Sequence, residues 1–246
     1  MNLKKINFII DNYFINSKVL RILKIDSGLI NQTYLIEHII NGVKSKFILQ
    51  CISNIFESHE MVSMNHELIT DYIKKKILKD SNKFDFKRWE APTLIRCKAN
   101  NGYLFSCDSD FWRAMVYIDD TFSVEFLEDK TMAYQTGLGL SRFHSICSGI
   151  DSSKLRRSIS NFHNTNHYIN QYKIHLKDYN VSKLDSDVNK RLQSLIYSLS
   201  NHILYAEFIL GYLKGKKIDC NVIHGDPKLS NFLFDIKSKH VVSLID

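Results

Sequence analysis

Near the end of the chain, His224-Gly225-Asp226-Pro227-Lys228-Leu229-Ser230-Asn231 is followed by a short apolar stretch and then Ile245-Asp246. An aspartate with an asparagine five residues later, on a loop after a short strand, sets a carboxylate and an amide oxygen side by side. A second carboxylate arrives at the end of the next hairpin. Phosphoryl transfer needs this set: a carboxylate to receive the proton of an acceptor hydroxyl, and two oxygen ligands to hold Mg²⁺ against nucleotide phosphates. Lys228 adds a positive charge suited to a γ-phosphate.

Such a loop has to be carried by short strands, and the tail reads as three of them: Asn221 to Ile223, Asn231 to Phe234 and Val241 to Ile245. Further upstream, Val19 to Ile25 alternates apolar and polar, and Gln32 to Ile40 is rich in β-branched residues. Asn41-Gly42, between that segment and Val43 to Ile52, is a strong two-residue hairpin signal, so three antiparallel strands are expected. From Glu57 the period changes: Met61, Met64, Leu68 and Tyr72 recur at helical steps toward Leu78, with Met61 and Met64 expected in the core. Thr93 to Cys97, Tyr103 to Cys107 and Phe111 to Ile118, with a turn at Asn100-Asn101-Gly102, predict further strands. After Asp119 the texture is helical: Glu128 to Cys147, a stretch around Ile159 to Tyr172, and Leu184 to Leu213 ending near Gly215. The pattern predicts an α+β fold, with a sheet of about five antiparallel strands and one inserted helix. The expected division is a β-rich lobe, residues 1–118, and a helical lobe, residues 119–246.

Composition bounds the function classes. A chain of 246 residues fits one large domain or two small lobes and can bury a real core. With 44% hydrophobic and 24% charged residues, and only 9 Gly and 2 Pro, collagen-like and disordered classes are excluded. The net charge of +7 favours an anionic partner, yet the lysines are spread along the chain, which points to compositional bias rather than a nucleic-acid footprint. Five cysteines without a C-x-x-C pair read as buried or free thiols in a reducing cytosol. Met1 to Phe14 is interrupted by Asp11 and lacks a cleavage site, so it is not read as a signal peptide, and no apolar run approaches the ~18 residues of a membrane span. The expected address is cytoplasmic. His163 and His167 sit four apart but lack the glutamate of a zincin motif, so surface histidines are expected.

The H-G-D-x-x-x-x-N pattern followed by an apolar strand ending in Ile-Asp resembles the aminoglycoside phosphotransferase and choline kinase superfamily, a small-molecule branch of the protein-kinase-like fold. Asp26-Ser27-Gly28-Leu29-Ile30-Asn31-Gln32-Thr33-Tyr34 resembles the phosphate loop of that superfamily, where backbone N–H groups cover the nucleotide phosphates. The segments GLINQTYL, FILQ, IFESHEMVSMNHELIT and WRAMVYIDDT are most similar to the N-acetylhexosamine 1-kinase group.

That resemblance implies a two-lobed kinase-like fold, ATP and Mg²⁺ as cofactors, and a small hydroxylated acceptor: an amino sugar or sugar first, then choline-like amino alcohols or aminoglycosides. It casts Asp226 as the catalytic base, Asn231 and Asp246 as metal ligands, Lys228 as a phosphate contact, and His224 as a brace for the loop. Ser27, Gly28, Asn31 and Thr33 fall in the phosphate loop. The main chain at Val116, Tyr117 and Ile118 corresponds to the hinge that holds adenine, and Glu67 to the helix carboxylate that usually pairs with a lysine on the third strand. Here that strand carries Gln50, so an uncharged amide replaces the lysine. The chain stops at Asp246 where members of the superfamily continue, which implies a fragment or truncated reading frame. Two other classes stay open: a nucleotide-binding scaffold without catalysis, and a basic nucleic-acid-binding protein, which has only the net charge behind it.

Overall fold

The computed structural model describes residues 3–25, 30–80, 88–177, 185–214, 216 and 221–246. By backbone contacts these fall into two units, one of residues 1–158 with 221–246 and one of residues 159–220.

The first unit begins with a helix, α1 (Leu3–Tyr13), ahead of the expected strands. Ile6, Ile9, Ile10 and Tyr13 recur at steps of three and four and are all buried, each aliphatic chain contributing roughly 1.5–3 kcal/mol. They pack on a sheet made of β1 (Lys18–Ile25), β2 (Gln32–Ile40), β3 (Val43–Ile52), β4 (Leu94–Ile95), β5 (Leu104–Cys107) and β6 (Asp110–Val116). Its order is β1-β2-β3-β6-β4, with β5 also paired to β6 and every pairing antiparallel. The β2–β3 turn uses Asn41 at φ 50° and Gly42 at φ 80°, the left-handed pair a two-residue hairpin needs.

Side chains alternate across the sheet. Tyr34, Ile36, Phe47, Leu49, Trp112 and Ala114 join α1 in one core. Thr33, Leu35, Ile48, Gln50, Arg113 and Met115, at the intervening positions, face the other way.

The helix α2 (His59–Asp80) follows β3. Its buried face departs from the Met61–Met64 stripe: Met61 is 36% and Met64 60% exposed, whereas Ser63, Thr70, Ile73 and Asp80 are buried. One residue turns a helix by about 100°, so a shift of one or two positions changes the face entirely. The buried face here is set by packing: Ile73, with Leu68, Ile69, Tyr72 and Ile77 beside it, sits against a second apolar core, and Thr70 donates to the helix's own His66 carbonyl.

A second, three-stranded sheet runs β7 (Thr121–Phe122), β8 (Phe232–Asp235), β9 (Val241–Leu244). The helix α3 (Lys130–Cys147) is capped by Asp129, whose side chain accepts from the Met132 N–H at 2.7 Å. It lies so close to β9 that a Cβ on Gly139 would come within 2.5 Å of Val241 Cγ1. Phe143, Ile146, Phe232, Phe234 and Val241 form the second core. The expected strand at Asn221 to Ile223 is not one: Val222 is buried in that core, but the segment joins no ladder among the described residues.

The second unit contributes α4 (Thr165–Lys177) and α5 (Ser186–Leu213). The first of these starts later than expected because Asn161 and His163 both sit at φ 58°, outside helical geometry. Only His167 of the His163/His167 pair therefore lies on the helix, and His163 is exposed. Among the described residues no helix is long and apolar enough to cross a membrane.

Candidate active site

The loop between Val222 and β8 turns at Gly225, whose φ of 90° strains any residue with a Cβ. A single 3-10 turn, Leu229–Asn231, then leads into β8. Two hydrogen bonds clamp this loop to the end of β9. His224 Nε2 donates to the Ile245 carbonyl at 3.1 Å, and the Ile245 N–H donates to the Asn231 carbonyl at 2.9 Å. His224 thus ties the loop to the end of β9. Burial lowers its pKa, and the bond to Ile245 opposes that effect.

Asn231 is buried, and its Nδ2 donates to the Asp226 carbonyl at 2.9 Å. With the nitrogen committed, the side-chain oxygen is the atom left to act as an acceptor. Asp226 itself is open: its carboxylate lies 3.5 Å from Lys228 Nζ, with side chains 57% and 38% exposed. An accessible carboxylate suits a group that must meet an incoming hydroxyl.

On the sheet, strand register builds a row of polar side chains. Thr33 of β2 stands opposite Gln50 of β3, and Gln50 opposite Arg113 of β6. Gln50 Nε2 donates to Thr33 Oγ1 at 3.0 Å and approaches Asp246 Oδ1 at 3.5 Å, while Gln50 Oε1 accepts from Arg113 Nε at 2.9 Å. Arg113 Nη2 lies 3.8 Å from the same Asp246 oxygen. Behind it, Arg113 Nη1 donates to His66 Nδ1 at 3.2 Å, and His66 Nε2 donates to the Pro92 carbonyl at 2.5 Å. Both ring nitrogens of His66 are thereby assigned, and the ring is neutral. Burial, and secondarily the guanidinium, pulls its pKa from 6.5 down to about 3. Burial also lowers the Arg113 pKa, and the Asp246 carboxylate opposes this.

A cavity of about 290 Å³ runs between the sheet and the loop. One end is apolar, where Leu35, Ile48 and Met115 lie opposite one another on β2, β3 and β6, with Tyr117 and Leu233 also in the wall. The other is polar, formed by Thr33, Gln50, Lys228, Ser230, Asn231 and Asp246. Val116 and Ile118 also line it. The Val116 N–H is committed to the Thr93 carbonyl at 2.9 Å, and the Ile118 carbonyl accepts from Thr121 Oγ1 at 2.7 Å.

Of the residues singled out in the sequence, Thr33, Gln50, Val116, Tyr117, Ile118, Lys228, Asn231 and Asp246 thus share one cavity. Asn31 stands apart, its Oδ1 accepting from the Ser53 N–H at 2.9 Å and tying the start of β2 to the end of β3. Glu67 also faces elsewhere, accepting from Tyr103 Oη at 2.6 Å with Arg96 3.7 Å away. Ser27 and Gly28 lie outside the described residues. Sequence reasoning missed Arg113 and His66. The available signal was an arginine within the otherwise apolar run Phe111 to Val116, since a charge in a central strand is almost always paired.

Neutral His66 carries a measurable consequence. The unfolded chain takes up a proton near pH 6.5 that the folded protein refuses until about pH 3. Stability is therefore full above pH 6.5 and falls as pH drops through that window, by about 2 kcal/mol at pH 5 from this group alone. Substituting His66→Gln, whose amide can donate to Pro92 and accept from Arg113, is expected to flatten this part of the acid limb. Thermal melts of both proteins from pH 7 to pH 5 check it, and parallel limbs would contradict the assignment.

No family model matches the chain. Its fold is shared with solved kinase-like phosphotransferases. The whole chain matches a spectinomycin phosphotransferase, in complex with ADP and spectinomycin, at a TM-score of 0.54 and 14% identity, covering 68% of that protein. An aminoglycoside phosphotransferase from Alicyclobacillus acidocaldarius matches over 98% of the chain at a TM-score of 0.54 and 13% identity, and the chain spans 64% of its length. At these identities the likeness establishes the fold, α+β and kinase-like, and the chain corresponds to about two thirds of either neighbour.

Proposed function

We propose that the chain binds ATP in this cavity and moves its γ-phosphate to a hydroxyl of a small molecule. One observation carries the reading: Asn231 and Asp246, on either side of the β8–β9 hairpin, are clamped together through Ile245 at the polar end of an apolar slot. The adenine would occupy the apolar end against Tyr117 and Leu35, using main-chain groups of residues 116–118 other than the Val116 N–H. Residues 1–118 would form the nucleotide-binding lobe and residues 119–246 would supply the catalytic loop.

An acceptor-only carboxylate beside an amide oxygen suits Mg²⁺, which takes few protein ligands and completes its shell with phosphates and water. Asn231 and Asp246 would hold it, and bound there it would neutralise charge developing on the leaving nucleotide. Asp226 receives the acceptor's hydroxyl proton, its exposure leaving room for that substrate. Lys228 stays near enough to Asp226 to orient it and carries its charge into the cavity. His224 and Asn231 hold the loop so that little reorganisation is needed, and positioning of this kind supplies much of the rate in phosphoryl transfer.

The acceptor class proposed first is an amino sugar or another sugar, following the similarity of the N-terminal segments to N-acetylhexosamine 1-kinases; aminoglycosides, the class on which the second solved neighbour is named to act, and amino alcohols come next. A cytoplasmic location fits ATP as co-substrate. The neutral Gln50 and the outward-facing Glu67 favour a second reading, a nucleotide-binding scaffold without turnover. Transfer of labelled γ-phosphate from ATP to a panel of amino sugars, neutral sugars, amino alcohols and aminoglycosides separates the two. Label on one acceptor class supports the kinase, whereas ATP binding with no labelled acceptor supports the scaffold.

A further inference from the structure

Arg113 is 4% exposed, lies outside the cavity wall, and yet touches two groups that form it. A buried guanidinium is costly unless its donors are used. Here Nε serves Gln50, Nη1 serves His66, and Nη2 faces Asp246. Each contact comes from a different element: β3, α2 and the segment after β9. Gln50 has no orientation of its own, since an amide can present either end. By donating to Oε1, Arg113 turns the N–H pair of Gln50 toward Thr33 and Asp246 at the polar end of the cavity.

On the nucleotide reading given above, we propose that Arg113 is the positioning residue for the triphosphate: from the neighbouring strand, it supplies the positive charge that position 50 of β3 lacks and fixes the Gln50 amide as a phosphate donor. The helix partner changes with it. A lysine at position 50 would call for a carboxylate on α2, whereas a guanidinium already opposite Asp246 is met by the neutral His66. Glu67, one residue on, is free to bond Tyr103 instead. Arg113 sits one strand away from the phosphates, so it acts through Gln50 and Asp246 and through its field in a poorly solvated region.

The test is the ratio of adenosine to ATP dissociation constants, measured by calorimetry with Mg²⁺ present. Adenosine uses only the apolar end, so a general packing defect weakens both ligands and leaves the ratio unchanged. In Arg113→Met the ratio is expected to fall about tenfold or more, with adenosine affinity within about threefold of wild type. Adding Gln50→Lys to that variant places a cation at position 50 and is expected to bring the ratio back to within about threefold of wild type. Should Arg113→Met lack a cooperative melt, Arg113→Lys carries the test: one amine cannot reach Gln50 and Asp246 together, and the ratio falls about threefold. A wild-type ratio in either single variant, or no recovery in the double variant, overturns the role of Arg113 while the nucleotide reading stands. Wild-type protein that binds neither ligand overturns both.

Discussion

Asp226→Asn is expected to lower turnover by about 10³-fold, a barrier increase of about 4 kcal/mol, while ATP affinity stays within about threefold. Asparagine is close in size and keeps the backbone carbonyl that accepts from Asn231, so the Asn231 amide does not move. What is lost is the one function an amide cannot perform at neutral pH, acceptance of a proton from the acceptor hydroxyl. The Lys228 contact is also lost, but both side chains are more than a third exposed, and pairs of this kind contribute about 0–1 kcal/mol. Melting behaviour should therefore be almost unchanged. Steady-state turnover on whichever acceptor class responds, paired with calorimetric ATP titration, provides the measurement. Turnover within a few-fold of wild type would remove Asp226 from the mechanism.

A different signature is expected from Asp246→Asn. Its Oδ1 is approached by both Gln50 Nε2 and Arg113 Nη2, and its charge is the only carboxylate facing that buried guanidinium among the described residues. Turnover should fall by about 10²-fold or more, and the Mg²⁺ concentration needed for half-maximal ATP binding should rise about tenfold. Stability should also fall, because a buried cation loses its counter-charge. The carboxylate is itself a third exposed, so the penalty is set at about 1–2 kcal/mol rather than the value for a fully buried pair. Urea denaturation and Mg²⁺ titrations of ATP affinity read the two effects separately. An unchanged Mg²⁺ requirement would argue against a metal at this position, even if stability dropped.

These contrasting outcomes rest on how differently the two carboxylates are placed, and their sequence context does not distinguish them in that way. Each follows or ends a short apolar stretch. Only the packed chain leaves one open to an acceptor and brings the other to within 4 Å of a guanidinium more than a hundred positions away.

Local order was legible wherever the cause was local. The Asn41-Gly42 turn fixes the β2–β3 register from Gln32 opposite Cys51 to Ile40 opposite Val43, because left-handed dihedrals at two adjacent residues permit one hairpin geometry. The loop from His224 to Asn231 was legible for the same reason, since its Asp–Asn spacing and its glycine act over a few residues. The stripe Ile6, Ile9, Ile10, Tyr13 is equally local, a helical period within one short segment. By contrast, the face that α2 buries, the failure of residues 221–223 to form a strand, and the turning away of Glu67 all depend on neighbours remote in sequence. Taken alone, the sequence determined the α+β pattern and the Asp–Asn loop, through short-range spacing and strong turn residues, and its resemblance to a kinase-like superfamily implied the kinase-like fold that the structure bears out. Tertiary structure alone decided that the charge missing from Gln50 sits on Arg113 with neutral His66 behind it, because strand pairing and burial are long-range effects that select partners by register and desolvation rather than by proximity in the chain.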